Sequence, residues 1–440
     1  MGRQNGVEAM AHTDGGAVAP TVVRDVVHRQ GEYSFRVDGG LGEPRVRFWG
    51  DVPAPPAPAA EPAFAAALLP AMAAGGQLDL PLALDPRLRD ALPDLQAALI
   101  AIAGAGPYAP LPLQAIEIVD SERPAVRGAE TTGSRGVGLF FSGGVDSLST
   151  LLRRPEVTDL IYVHGFDIPL DRPDLSERVE QGLRKVADAR GLGFHVVRSN
   201  LRDLHDRAVG WEIGHGPALA AVAHLFAPTC RRMLIGSGVT YTEPVTRGSH
   251  PLVDHLWSSE RCEIVNDGSH LTRAMKVREI ATSSMALAVL RVCWRRVEEY
   301  NCGRCEKCLR TMVALEAAGA LGRCGTFEGP LDLDAVAGLQ LPSPESIPWW
   351  RDNLALASES GRPDLVAAVE RCLESNSRRF ATARGDPQAA GGAQAAAEAQ
   401  AAAVSEQLQA VTTSRSWRWT APFRAAGALA RRLSGRRGGG

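Results

Sequence analysis

The sequence is short of long apolar runs. Its longest, around Phe64 to Ala74 and Leu95 to Ala105, fall below the roughly 20 residues a membrane-spanning helix needs and are broken by Pro or Gly, which excludes a membrane bundle. The amino terminus, MGRQNGVEAMAHTDGG, lacks an apolar stretch of the secretory kind, so the expected setting is cytoplasmic. Net charge is also scarce: a formal −2 gives no whole-protein attraction to nucleic acid, which is not expected as a partner. Lysine is nearly absent, with only Lys185, Lys276 and Lys307 among 48 basic residues, and each therefore merits inspection. Eight cysteines in 440 residues are too few for a disulfide scaffold, and four of them crowd between Cys293 and Cys308, which points to metal in a reducing compartment.

What is present divides the chain into several parts, in line with a length of two to three domains. Residues 1–20 read as a disordered leader and 21–130 as a small β/α domain. In the latter, TVVRDVVH, EYSFRVD and RVRFWGD alternate apolar with polar residues, as an antiparallel sheet does, and Asp85-Pro86 opens a helical pattern through Leu88, Leu92, Leu95 and Leu99. Over 133–325 the period changes. VGLFFS, LIYVHGF, FHVVRSN and RMLIGSG have the continuous hydrophobicity of buried parallel strands, and helical patterns separate them at Val145 to Arg153, Asp174 to Arg190 and Pro217 to Phe226. Strand and helix in alternation predict an α/β fold with a doubly wound parallel sheet, whose ligands bind at the carboxyl ends of the strands. A helical extension is expected over 330–385, an Ala-rich linker over 386–412 and a basic amphipathic tail over 413–440. That tail carries Trp417, Trp419 and Phe423 among arginines, a composition suited to peripheral contact with an anionic inner membrane surface or to a plain solubilising tail.

The sharpest local feature is Ser142-Gly143-Gly144-Val145-Asp146-Ser147, between the first parallel strand and its helix. Two glycines permit a tight turn and close approach of a ligand, leaving amide N–H groups free at a helix amino terminus, with the hydroxyls of Ser142 and Ser147 beside them. The spacing and lysine of the G-x-x-x-x-G-K-[ST] loop are missing, and no G-x-G-x-x-G is present. A second feature is Cys302, Cys305 and Cys308 in C-x2-C-x2-C, with Cys293 upstream, a set suited to a closed tetrahedral Zn²⁺ site. An iron-sulfur cluster is the rival, although the fourth cysteine of the ferredoxin run is absent and Met312 stands in its place. Cys230, Cys262, Cys324 and Cys372 read as core residues.

The SGGVDS element resembles the signature of the PP-loop ATP pyrophosphatases, with every fixed position filled, and together with the cysteines it is similar to their zinc-containing 7-cyano-7-deazaguanine synthase branch, over roughly Gly136 to Gly319. The resemblance implies an adenine nucleotide α-hydrolase-like (HUP) domain that binds ATP. Ser142, Gly143, Gly144 and Ser147 would hold phosphate, Asp146 would help hold Mg²⁺, and Lys276 would stabilise the departing pyrophosphate. Asp167, Gly236 and Ser237, at strand carboxyl ends, would contact the nucleotide. It implies a ligase that adenylates a carboxylate or amide oxygen, followed by attack of ammonia or an amine, since no glutaminase domain is apparent. In the relatives a PGRN-like stretch shapes the substrate side. Here Gly214-His215-Gly216-Pro217 lacks the Arg-Asn, which points to a different small-molecule substrate, and Arg247 is a candidate contact for it. Two other readings are a sulfur-inserting tRNA or metabolite thiolase of the same superfamily, and a non-catalytic nucleotide-binding protein at a membrane surface.

Overall fold

The computed structural model describes residues 18–39, 42–54, 58–105, 111–121, 135–242, 247–295 and 299–383. The linker and basic tail, with nearly all of the leader, lie outside these residues. The strands are β1 (Thr21–Arg29), β2 (Glu32–Asp38), β3 (Arg45–Gly50), β4 (Gln77–Asp79), β5 (Glu117–Val119), β6 (Gly136–Phe140), β7 (Asp159–His164), β8 (Gly193–Ser199), β9 (Cys230–Gly236) and β10 (Glu263–Asp267). The helices are α1 (Glu61–Ala74), α2 (Pro86–Asp90), α3 (Leu92–Ala105), α4 (Val145–Arg153), α5 (Pro173–Arg190), α6 (Leu201–Ala208), α7 (Trp211–Leu225), α8 (Arg273–Ala281), α9 (Ser284–Val289), α10 (Glu306–Ala317), α11 (Leu333–Ala337), α12 (Ser346–Glu359) and α13 (Pro363–Ala383). None of the helices among the described residues is long and apolar enough to cross a membrane.

The strands form one sheet in the order β10-β9-β6-β7-β8-β3-β2-β1-β4-β5. The run from β10 to β8 is parallel throughout. From β6 the chain steps outward through β7 and β8, then returns to the other side of β6 as β9 and β10. The carboxyl end of β6 is therefore a topological switch point, where a crevice opens between diverging connections. Helices cover both faces. Val137, Leu139 and Phe141 enter the core shared with α4, α5, α8 and α10, whereas Phe140, with Ile161 and Val163 of β7, enters the core shared with α1, α6 and α7.

Strands β1 to β5 belong to the same sheet as the parallel strands rather than to a sheet of their own. β3 pairs antiparallel with β8 through Phe48↔Ser199 and Trp49↔Arg198. That join needs Gly50, whose φ is 111° and where a Cβ would sit 2.5 Å from the Val196 carbonyl oxygen. The same segment lends α1 to the parallel sheet. This helix is buried nearly all round because it packs between β1, α6 and α7, and His205 of α6 holds the Ala66 carbonyl at 2.8 Å. The single helix expected after Asp85 is two, α2 and α3, with Ala91 between them. Asp85 does cap α2, accepting from Arg87 N and Leu88 N. Residues up to Leu373 form one compact unit; of the second, Glu374–Gly440, only the end of α13 is described.

β10, which the sequence reading did not find, ends on a buried charge that ties the sheet to α4. Asp267 accepts from Thr150 Oγ1 at 2.9 Å, Arg153 Nη2 at 2.8 Å and Arg154 Nε at 2.7 Å. The arginine heads reach solvent, so Asp267→Ala is expected to cost about 2 kcal/mol, below the range for a fully buried pair. Urea melts would show this as a lower midpoint at unchanged slope.

Candidate functional site

The turn after β6 follows from its two glycines. Gly143 has φ +71°, and a Cβ there would lie 2.9 Å from the Val289 carbonyl oxygen and 3.0 Å from Leu183 Cδ2. Gly144 is the N-cap of α4 and supplies no side-chain cap. Among the described residues the N–H groups of residues 143–147 donate to no protein acceptor; the first amide to do so is Leu148, to Gly144 O at 3.0 Å. Such a row of free donors at the positive end of a helix dipole is a cradle for an anion. Ser147 Oγ turns back to Gly144 O at 3.2 Å, while the Ser142 hydroxyl has no partner among the described residues. Gly143→Ala is expected to cost about 1–2 kcal/mol through the forced φ and the backbone clash. A calorimetric melt against Gly42→Ala, where a Cβ meets nothing within 4 Å, would isolate the clash.

Cations converge on the same turn. Asp146, in the first turn of α4, pairs through Oδ2 with Arg273 Nη1 at 2.8 Å and through Oδ1 with Lys276 Nζ at 3.3 Å. Burial pushes the Asp146 carboxyl up, but Arg273 and Lys276 outweigh it and hold it below the usual carboxylate range. Lys276 is only 2 % exposed and also donates to the Ser237 carbonyl. The structure thus brings together the turn, Asp146 and Lys276, and adds Arg273. Both oxygens of Asp146 already face cations, so these residues do not by themselves make a Mg²⁺ site.

The other expected contacts are placed differently. Gly236 lets β9 close on α4, since a Cβ would meet Asp146 C at 2.8 Å and Ser147 N at 3.0 Å. Ser237 is engaged within the protein: its N–H donates to Asp267 O at 2.8 Å, its hydroxyl to Val239 O at 2.8 Å, and its carbonyl receives Lys276. It positions Lys276 and has no free donor for a nucleotide. Asp167 lies exposed just beyond β7. His215 is not in a loop before a helix, because α7 starts at Trp211 and Pro217 falls inside it. His215 accepts from Ser249 N at 3.3 Å, and a Cβ on Gly216 would sit 1.8 Å from Gly248 O, so the 247–249 segment lies directly on this helix.

Two further cations come from α10. Arg310 is buried, its Nε 3.2 Å from Glu306 Oε1 and its Nη1 without a hydrogen-bond partner, and it lies 4.3 Å from the Trp349 ring centroid. Burial pushes it down to about 10, and Arg273 and Arg247 act in the same direction. Arg247 stacks on the same ring at 5.4 Å and pairs with Glu212. Lys307, one turn before Arg310, is exposed. The protein around it lowers its ammonium, as do Arg273, Arg247 and Arg310, against the opposing charge of Asp167. The surroundings of the turn are therefore rich in cations beyond Arg273 and Lys276.

The four cysteines form the second centre. Cys293, Cys302, Cys305 and Cys308 are buried, with their sulfurs all within 4.8 Å of one another, and Cys302 Sγ lies 3.8 Å from Cys308 Sγ. A tetrahedral ion with metal–sulfur bonds of about 2.3 Å places its sulfurs about 3.8 Å apart, so the set fits one ion. Four irons and their sulfides would spread the thiolates further. Comparison with protein-family models, curated proteins and solved structures finds no match to this chain.

Proposed function

We propose that the chain is an ATP-dependent ligase of the ATP pyrophosphatase type, with an adenine nucleotide α-hydrolase-like core. The observation that carries this reading is the free-amide turn at the switch point of the sheet, with Lys276 and Arg273 held beside it on Asp146. An anion cradle facing two fixed cations suits a polyphosphate whose outer phosphates must leave with extra charge. The acceptor's carboxylate or amide oxygen attacks the α-phosphorus, and the bond from that phosphorus to the bridging oxygen breaks. The electron pair leaves on pyrophosphate, where the turn amides, Lys276 and Arg273 stabilise it. Ammonia or an amine then displaces AMP from the adenylate. No step is assigned to Mg²⁺.

For the four-cysteine centre we propose structural zinc, which would supply a fixed tetrahedral tie and no reactive position. Colourless protein with one zinc per chain supports it; brown protein absorbing near 400 nm would favour the sulfur-inserting alternative. The test of the activity is a product assay on the full chain with ATP, Mg²⁺, a panel of carboxylic acids and ammonium. AMP and pyrophosphate are expected, slowly even when water is the only acceptor. Formation of ADP and phosphate instead would overturn the reading.

A further inference from the structure

We infer that the metal centre is the brace of the anion turn, and that Asn301 is the positioning residue that links the two. The five residues from Val289 to Cys293 span from one site to the other. At one end the Val289 carbonyl lies against Gly143, close enough that a Cβ there would be 2.9 Å away, and Arg291 N donates to Gly143 O at 2.9 Å. At the other end Cys293 enters the metal set. Beyond Val289, which ends α9, this segment has no helix or strand of its own and so no ladder to hold it.

Asn301 takes the place of that ladder. Its Oδ1 accepts from Val292 N at 2.9 Å and Cys293 N at 3.2 Å, and its Nδ2 donates to Leu290 O at 2.9 Å and Thr326 O at 3.2 Å. The side chain is 4 % exposed and satisfies four backbone groups, two as acceptor and two as donor. Tyr300 adds its hydroxyl to Val289 O at 3.0 Å. Asn301 precedes Cys302, so the residue that grips the segment is itself fixed by the metal set. Cys305, whose N–H lies 3.3 Å from Cys302 Sγ, is the N-cap of α10, the helix that carries Lys307 and Arg310. One ion would therefore set both the back wall of the turn and the cationic wall of the cleft.

The inference deepens the proposed function and rests on it for the identity of the ligand, but the brace can be tested without that ligand. The probes are the Leu148 and Arg291 amides, each bonded to a carbonyl of the turn. Hydrogen exchange at both is to be measured on the full chain as purified, after chelation with loss of metal confirmed by elemental analysis, and in Asn301→Ala. Exchange faster by about tenfold is expected in both altered forms, with amides of β7 unchanged. Tyr300→Phe, which removes a single hydroxyl, is expected to give about threefold and keeps the test alive should Asn301→Ala fail to fold. Unchanged exchange at Leu148 and Arg291 in metal-free protein would overturn the brace. Titration with α,β-methylene-ATP separates the two ideas: no binding to the intact protein alongside metal-dependent exchange would sink the nucleotide reading and leave the brace standing.

Discussion

Asp146→Asn is expected to lose about 3 kcal/mol of folding stability at neutral pH and to flatten the acid side of the stability profile. The reason is the company Asp146 keeps. Its carboxylate is the shared partner of Arg273 and of the almost fully buried Lys276, so a neutral amide leaves two cations facing each other without an anion. The sign with pH follows from the carboxyl being held below its usual value in the folded chain, burial being outweighed by the two cations. Its stabilising contribution is complete above the unfolded value of about 3.9 and is lost as pH falls through the lower folded value, so the wild type weakens in that acid window. The Asn variant has no such contribution to lose there. An anion in the turn should also stabilise the variant more than the wild type, because the ligand then replaces the missing charge. Melting curves from pH 2 to 7, with and without pyrophosphate, would show both effects. Equal stability of the two proteins at pH 7 would mean that the ion pair is incidental.

Cys308→Ser should have the other large effect. One of four converging sulfurs is lost, and bound metal should fall from one per chain to near zero, with the melting midpoint lower by about 10 °C or more. The cost is high because Cys308 lies in the first turn of α10 while Cys293 ends the segment that lines Gly143, so releasing the ion loosens two walls of one cleft. Cys262→Ala is the control. Cys262 is buried in the other core, away from the metal set, and its variant should keep its metal. Retained metal in Cys308→Ser would show that the four sulfurs are not the ligand set.

Much of the parallel half of the fold is legible in the sequence because its signals are local. Val145 to Arg153 emerges as a helix with the expected bounds, since Gly144 and the change of period mark its start within a few residues. β10 escaped because EIVND is short and mostly partly buried, without the apolar run of its neighbours. α7 starts at Trp211 rather than at Pro217, which has the look of a first-turn proline. Pro217 sits inside the helix, where the backbone of residue 248 crosses closely and Gly248 N donates to Glu212 O at 2.9 Å. The join of β3 to β8 is a pairing between residues about 150 apart, and no local pattern encodes it.

The candidate site was legible in its glycines and cysteines, whose chemistry depends on spacing, and much less so in its charges. Lys307 lies inside the cysteine motif and lysine is rare in this chain, but the spacing of that motif speaks only for its sulfurs. Arg273 and Arg310 are ordinary arginines in an arginine-rich chain, and only the packing of α8 and α10 against the turn sets them apart. Ser237 shows the converse. Its position at a strand end suggested a ligand contact, but three hydrogen bonds within the protein commit it to holding Lys276.

The most direct test is the structure of the full chain with α,β-methylene-ATP. The outer phosphates should lie within hydrogen-bond distance of the 143–147 amides, with Lys276 or Arg273 drawn from Asp146 toward them. A nucleotide bound elsewhere, with that turn vacant and Asp146 still holding both cations, would contradict the proposed function.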